Sequence, residues 1–151
     1  MGEATVLNLL GEALICLNYL EEANLMFARA FDIWRNFDQL PGLYQAQVGM
    51  AQVSQAEEAQ QKAYLALDQL DEVLHYLLAE RGEQDDLPLS LYLACAHLLY
   101  KLDDQRYRPL LSRAHHELQV QADRISDPLD RESFLSNVPE NQEIERLFAS
   151  A

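Results

Sequence analysis

Apolar residues recur at helical spacing along almost the whole chain. The first stripe is formed by leucines 7, 10, 14 and 17, and later stripes repeat the same three- and four-residue steps. Such spacing places apolar side chains on one face of an α-helix. The pattern predicts eight helices, at about 4–17, 21–37, 43–54, 56–80, 88–102, 105–125, 128–138 and 139–148.

Polar and helix-breaking residues separate these stripes. Asn18 interrupts the first, residues 38–42 predict a turn around Pro41, and residues 81–86 are polar and precede Pro88. Proline is tolerated in the first turn of a helix, where its missing N–H costs no hydrogen bond. Pro109 is therefore expected in the first turn of the sixth helix, and Ser126 or Asp127 is expected to cap the seventh.

Composition supports helices and no other class of structure. Glycine and proline number five each in 151 residues, and Ala, Leu, Gln and Glu, which all form helices well, dominate. Strand-rich folds need more turn residues than this chain offers. The length suits one domain. The sequence therefore predicts an all-α fold with a substantial apolar core.

A search for internal repeats gives three helix pairs. Small residues on the first helices, Gly11, Ala51 and Cys95, follow one another at intervals of 40 and 44. Each precedes a packing residue of the next helix by 12 positions. Small residues allow two helices to approach closely. The aligned positions are Leu7, Leu10, Gly11, Leu14, Ala23, Phe27 and Ala30; Gln47, Met50, Ala51, Ser54, Ala63, Leu67 and Leu70; and Leu91, Ala94, Cys95, Leu98, Tyr107, Leu111 and Ala114.

These positions resemble the tetratricopeptide repeat, which alternates large and small residues on one helix with small, aromatic and small residues on the next. The first pair matches best. Gln47 and Ser54 replace large residues in the second, and Tyr107 replaces a small one in the third. The resemblance covers residues 4 to about 124. It implies a TPR-like α-solenoid of about three antiparallel helix pairs, at 4–37, 43–80 and 87–125, within a repeat region of 1–125.

Residues 122–125 and 131–141, near the end of the chain, resemble a segment that closes the C-terminal repeat arrays of large bacterial signalling proteins. Those proteins join a STAND or AAA-type ATPase to a kinase, cyclase or DNA-binding output. The resemblance implies that this chain is the detached sensor or scaffold end of such a regulator. Independently, Phe134, Leu135 and Val138 offer an apolar face, and a solenoid needs a cap at its end. Residues 126–151 are therefore predicted to be capping helices, with Phe134 and Leu135 buried.

Charge limits the classes of partner. Twenty-five acidic residues face 11 basic ones, for a formal net charge of −14. Phosphate backbones and anionic membranes are bound by Lys and Arg, so neither nucleic acid nor a membrane is an expected partner. Two interpretations of the acidity stay open: a solvated surface that maintains solubility, or a face for a basic partner.

The sequence offers no recognisable catalytic or metal-binding motif. His115 and His116 are neighbours on a helix and diverge by about 100°, so they do not share a ligand face. Cys16 and Cys95 lack CxxC spacing and are expected to be small buried hydrophobic residues in a reducing compartment. No GxxxxGK[ST] or HExxH occurs. We expect no enzyme activity and no cofactor, and the Met1-Gly2-Glu3 start without a basic region favours the cytoplasm.

Recognition is the remaining chemistry. In a tetratricopeptide array the first helix of each pair lines the concave face, and no Lys or Arg occurs at these positions. Amides there are able to hydrogen-bond a peptide. The alternative is a face that carries only solvent or packs on further repeats. The predicted binding face consists of Thr5, Asn8, Glu12, Gln45, Val48, Gln52, Gln55 and Tyr92, with Leu89, Ala96 and Leu99 beside them.

The functional expectation is a protein-interaction or scaffolding module, at the sensor end of a larger bacterial signalling or transcription regulator. Its partner would be a protein, a peptide or another domain of a parent chain. Two alternatives remain: a small-molecule-sensing domain that gates an attached ATPase or transcription output, and a TPR subunit that assembles into homo-oligomers.

Overall fold

The computed structural model describes residues 2–57, 60–79 and 88–151, and for residues 60–63 it describes the backbone alone. This part of the chain is helical and contains no strand, so the predicted all-α class is confirmed. The helices are α1 (Gly2–Cys16), α2 (Leu20–Phe37), α3 (Leu40–Ala56), α4 (Gln60–Leu78), α5 (Leu89–Lys101), α6 (Tyr107–Asp123), α7 (Pro128–Asn137) and α8 (Pro139–Ser150).

The turns after α1 and α5 have the same backbone design. Asn18 and Asp103 lie in the left-handed region with φ of 63° and 54°. The next N–H in each turn bonds five residues back, from Tyr19 to the Leu14 carbonyl and from Asp104 to the Leu99 carbonyl, both at 2.9 Å. Asn and Asp enter this conformation more readily than other side chains, and the bonds satisfy free carbonyls at the helix end. The predicted breaks at these two places are confirmed.

Prolines mark helix starts as expected. Pro109 lies in the first turn of α6, and Asp127 caps α7 by accepting hydrogen bonds from the N–H groups of Leu129 (2.8 Å) and Asp130 (3.2 Å). The predicted turn over residues 38–42 is too long. α3 already begins at Leu40, because Pro41 fits the first helical turn without losing a bond.

The fourth predicted helix, 56–80, is also displaced: α3 continues to Ala56 and α4 begins at Gln60. The predicted loop at 81–86 lies outside the described residues, as does the side chain of Ala63. The chain divides into two compact units, residues 1–76 and 77–151. The predicted third pair and the predicted cap therefore belong to one unit.

The first unit is built around α2, which packs against α1 and α3. Ala23, Phe27 and Ala30 on α2 are fully buried, as the repeat pattern predicts. A Cβ added at Gly11 of α1 or at Gly49 of α3 would lie less than 3.0 Å from the Phe27 ring. The ring therefore rests on bare backbone on both sides.

α4 joins the first unit by pairing with α3 in the antiparallel direction. Ser54 Oγ donates to Gln69 Oε1 at 3.1 Å, Gln47 Nε2 donates to Glu72 Oε2 at 3.3 Å, and the rings of Tyr44 and Tyr76 lie 5.0 Å apart. Gln47 and Ser54 are the residues that depart from the repeat pattern. Both are buried, and their side chains connect the two helices through hydrogen bonds.

The second unit has an aliphatic core, in which Cys95, Leu99, Leu110 and Leu118 are fully or almost fully buried between α5 and α6. α8 packs on α5 and α6 and buries Ile144 there. Within the predicted capping region 126–151, α8 therefore supplies a buried apolar side chain, although the sequence predicted buried residues on α7.

The expected burial of Phe134 and Leu135 is wrong: both are half-buried, and Leu129 is 77% exposed. The apolar residues of α7 diverge around the helix, so they form no single face. Arg131 is half-buried, and its guanidinium donates twice to the Ile125 carbonyl, at 3.1 and 2.7 Å. Its neighbour Glu132 is exposed.

Candidate functional site

The structure distributes the predicted binding face between surface and core. Asn8, Val48 and Tyr92 are buried, with 2–3% of their surface exposed, and Leu89, Ala96 and Leu99 on α5 are buried as well. The prediction is wrong at these six positions, because they do not supply an accessible surface. The residues that remain reachable are Thr5 and Glu12, which are exposed, and Gln45, Gln52 and Gln55, which are half-buried.

Asn8 is buried because it connects two helices. Its Nδ2 donates to the carbonyl of Gly42 at 3.1 Å and thereby ties α1 to α3. The indole of Trp34 packs against the same glycine, where a Cβ would lie less than 3.0 Å from the ring. Neither Asn8 Oδ1 nor Trp34 Nε1 finds a hydrogen-bond partner among the described residues. The amide thus stabilises the packing of the first unit and is not open to a ligand.

The reachable residues are polar side chains of α1 and α3, which we together call the glutamine face (Thr5, Glu12, Gln45, Gln52 and Gln55). Three amides, one hydroxyl and one carboxyl group offer both donors and acceptors. Partial desolvation raises the pKa of Glu12 above its ordinary value. This surface suits a partner with exposed peptide groups rather than an anion, because it contains no cationic side chain.

A second surface on α1 was missed by the sequence analysis. The outer stripe of α1 (Val6, Leu9, Leu10 and Ala13) is exposed, and so is Leu17 in the turn that follows the helix. Leu10 and Leu17 had been assigned to the packing side, and this assignment is wrong: they are 44% and 65% exposed. The available signal was composition, because Glu12 is the only charged residue between positions 4 and 17. A helix that is apolar around most of its circumference is normally covered on more than one side.

The histidines of the second unit contact the cap helix. His97 Nε2 lies 3.4 Å from Glu143 Oε1, and His115 Nε2 lies 3.4 Å from Glu145 Oε2. The His115 ring also stacks on Phe148, with ring centres 3.8 Å apart. These contacts hold α8 on α5 and α6. Within the described residues, no group of three or more His, Cys, Asp or Glu side chains is placed to hold a metal ion.

The two cysteines differ. Cys95 is fully buried, and burial raises the pKa of its thiol to about 12, which leaves it unreactive at neutral pH. Cys16 is exposed near the end of α1, so the expectation that it is buried is wrong.

A cleft of about 420 Å³ opens in the second unit. Its walls combine apolar side chains with a guanidinium and two amides, a mixture found in many ligand sites. The lining residues are Pro88, Leu89, Gln121, Arg124, Phe134, Val138 and Asn141.

Comparison with known proteins adds no family: no protein-family model matches the chain, and no curated protein or solved structure matches it significantly. None of the helices in the described part of the chain is long and apolar enough to cross a lipid bilayer.

Proposed function

We propose that this chain is a protein-interaction or scaffolding module, built as a TPR-like α-solenoid of about three antiparallel helix pairs and closed by α7 and α8. The observation that carries the proposal is the position of Phe27. It lies on the second helix of one pair, between Gly11 on the first helix of that pair and Gly49 on the first helix of the next. A second helix enclosed by two successive first helices is what stacked helical hairpins require.

The module acts at the sensor end of a larger bacterial signalling or transcription regulator, as the resemblance of residues 122–125 and 131–141 implies. It binds a protein or peptide and performs no catalysis. The net charge of −14 favours a neutral or basic partner over an acidic one. We expect it to work in the cytoplasm.

The glutamine face is the proposed contact surface. Its amides bind the backbone of an extended or helical partner segment, because each side chain both donates and accepts hydrogen bonds. Glu12 lies on the same face and favours a basic side chain at its place in the bound segment. Burial of Leu89, Tyr92, Ala96 and Leu99 on α5 restricts this surface to the first unit.

A peptide array of neutral and basic sequences tests the proposal, with hits measured by fluorescence anisotropy. The variant that combines Gln52→Ala and Gln55→Ala should weaken binding by about thirtyfold, since it removes two hydrogen bonds that are each worth roughly 1 kcal/mol. Gln105→Ala, an exposed amide in the turn before α6, is the matched control and should bind as the wild type does. If the double variant binds the peptides as tightly as the wild type does, the glutamine face is not the contact surface.

The cleft of the second unit favours a second candidate, a small-molecule-sensing domain that gates an attached output. At about 420 Å³ it lies within the usual range for ligand pockets. A ligand of the native state would raise the unfolding midpoint in a thermal-shift screen. Phe134→Ala should abolish that shift and leave peptide binding by the glutamine face unchanged, whereas the double glutamine variant should do the reverse.

A further inference from the structure

The cleft of the second unit lies where several helices begin or end. Its lining comes from the start of α5, the end of α6 and the junction of α7 with α8. Side chains from three segments that are distant in sequence therefore border one space of about 420 Å³. Phe134 is half-buried and belongs to the apolar part of the lining, together with Leu89 and Val138. This apolar part suits the hydrocarbon portion of a small ligand.

Arg124 gives the cleft its charge. It is the only ionisable residue among the described residues that line the cleft, although the chain as a whole carries 25 acidic and 11 basic residues. A guanidinium group has five N–H donors, so it can bind a carboxylate through two of them while it keeps a contact within the protein. The charged part of a matching ligand is therefore anionic, and one carboxylate satisfies it.

Asn141 adds a hydrogen-bond acceptor. Only 2% of its surface is exposed, yet it belongs to the lining of the cleft. Its Nδ2 donates to the Phe134 carbonyl at 2.9 Å, and the described residues supply no donor to its Oδ1. A buried acceptor without a partner costs free energy, and a ligand that brings an N–H group removes this cost. The matching ligand therefore carries a donor as well as an anion.

We infer that this cleft binds an apolar α-amino acid, with its carboxylate on Arg124, its ammonium group at Asn141 Oδ1 and its side chain against Phe134. The inference rests on the second candidate function, because it names the ligand class of the same cleft. An α-amino acid joins the anion, the donor and the apolar side chain at one carbon atom. The C-terminal residue of a peptide has the same chemistry, with its N–H group in place of the ammonium.

The same lining disfavours two other classes of ligand. A purely hydrocarbon acid would satisfy Arg124 but would leave Asn141 Oδ1 without a donor. A phosphate ester carries more negative charge than one guanidinium neutralises, and the described lining contains no second cationic group. An amino acid leaves neither group unmatched.

Isothermal titration with a set of related compounds tests this assignment, at about 0.15 M salt to screen the net charge of the chain. Leucine and phenylalanine are the first probes. Leucine should bind about tenfold more tightly than leucinamide, which lacks the carboxylate, and than 4-methylpentanoate, which lacks the amine, because each loses a charge-assisted hydrogen bond. Equal binding of leucine and leucinamide would overturn the inference.

Arg124→Gln should remove the preference for leucine over leucinamide, and Arg124→Lys, which keeps the charge, should retain part of it. Arg124 is exposed, so both variants should fold, which circular dichroism checks. Arg108→Gln, at an exposed position near the start of the same helix, is the matched control and should keep the full preference. A preference that survives Arg124→Gln would also overturn the inference.

The tripeptide Ala-Ala-Leu distinguishes the two sources of this chemistry, measured in the Gln52→Ala, Gln55→Ala variant to exclude the glutamine face. Tighter binding of the tripeptide than of leucine identifies a peptide terminus as the ligand, and the reverse identifies a free amino acid. Failure of leucine, phenylalanine and the tripeptide to bind at about 10 mM, weaker than most specific affinities, would overturn the inference. A thermal-shift hit from another chemical class would still support small-molecule sensing, so the two fail separately.

Discussion

The two compact units are held together in different ways. In the first, the rings of Phe27 and Trp34 lie against the backbone of Gly11, Gly42 and Gly49. In the second, helices α5 to α8 contain no glycine, and aliphatic side chains interdigitate beneath α8. The helices of the two units therefore pack in two different ways. In the first unit the backbones approach closely around aromatic rings, and in the second unit branched side chains fill the space between helices.

This difference in packing determines which substitutions each unit tolerates. A ring between two glycines leaves no room for an added methyl group, so the first unit is sensitive to gained volume as well as to loss of the ring. The second unit depends on one covering helix, so it is sensitive to whatever loosens α8. Polar contacts of His97 and His115 with Glu143 and Glu145 add to that helix's attachment.

Removing the central ring of the first unit should have the largest effect. Phe27→Ala leaves a cavity between α1 and α3 and should lower the free energy of unfolding by about 3–5 kcal/mol. Urea unfolding followed by circular dichroism measures this loss. Phe37→Ala, at a 52% exposed position on the same helix, is the control. Equal losses from both variants would show that α2 does not organise the unit through Phe27.

Truncation of Ile144, through which α8 covers the core of the second unit, should have the second-largest effect on stability. Ile144→Ala should cost about 2–5 kcal/mol and should expose the core beneath α8. In a Cys16→Ser background the buried Cys95 thiol then reports the opening through faster labelling by a thiol reagent. Leu129→Ala, at a 77% exposed position, should leave the labelling rate unchanged. Full protection of Cys95 in Ile144→Ala would contradict the role of α8.

Added volume in the first unit should have a moderate effect. Gly49→Ala places a methyl group against the Phe27 ring, at a cost of about 1–3 kcal/mol. Better helix propensity offsets up to about 1 kcal/mol of this cost. Thermal unfolding should show a lower midpoint, and Phe27→Leu in the same chain should recover part of it. Gly2→Ala meets open space and should show no loss. A higher midpoint for Gly49→Ala would reject the close approach.

The smallest predicted loss of stability comes from a substitution of Asp104 in the turn between α5 and α6. Asp104 accepts hydrogen bonds from Arg106 Nε at 3.0 Å, Nη2 at 2.9 Å and its backbone N–H at 2.9 Å. The side-chain hydrogen bond from Arg106 lowers the pKa of Asp104 below its ordinary value. A lowered pKa in the folded state contributes stability at neutral pH, which is lost as the pH falls through the folded value.

Asp104→Asn should therefore cost less than about 1 kcal/mol at pH 7. The difference from the wild type should shrink in acid, as the pH falls through the lowered folded-state pKa of Asp104 and the wild-type carboxyl is also protonated. Unfolding midpoints at neutral and at acid pH measure this. Asp103→Asn is the control, because Asn also fits the left-handed backbone there. A penalty for Asp104→Asn that persists in acid would mean that the ion pair is not its origin.

The sequence predicts where the helices lie better than it predicts which residues of the binding face are accessible. Of the predicted binding face, Thr5 and Glu12 are exposed and the three glutamines are half-buried. Asn8 was placed beside them because of its helical position. Its burial arises from a hydrogen bond to Gly42, 34 residues away, and no local pattern indicates such a bond.

The sequence by itself determined the helical class, most helix starts and ends, and the fully buried positions Ala23, Phe27 and Ala30. These features depend on local quantities: side-chain periodicity, proline at first turns, and Asn or Asp at left-handed ends. Only the tertiary structure decided which apolar stripes are covered. Leu10, Leu17 and Leu129 are as apolar as Ile144, yet Ile144 is buried and they are not. Burial depends on whether another helix reaches a stripe, and that is a property of packing between segments distant in sequence.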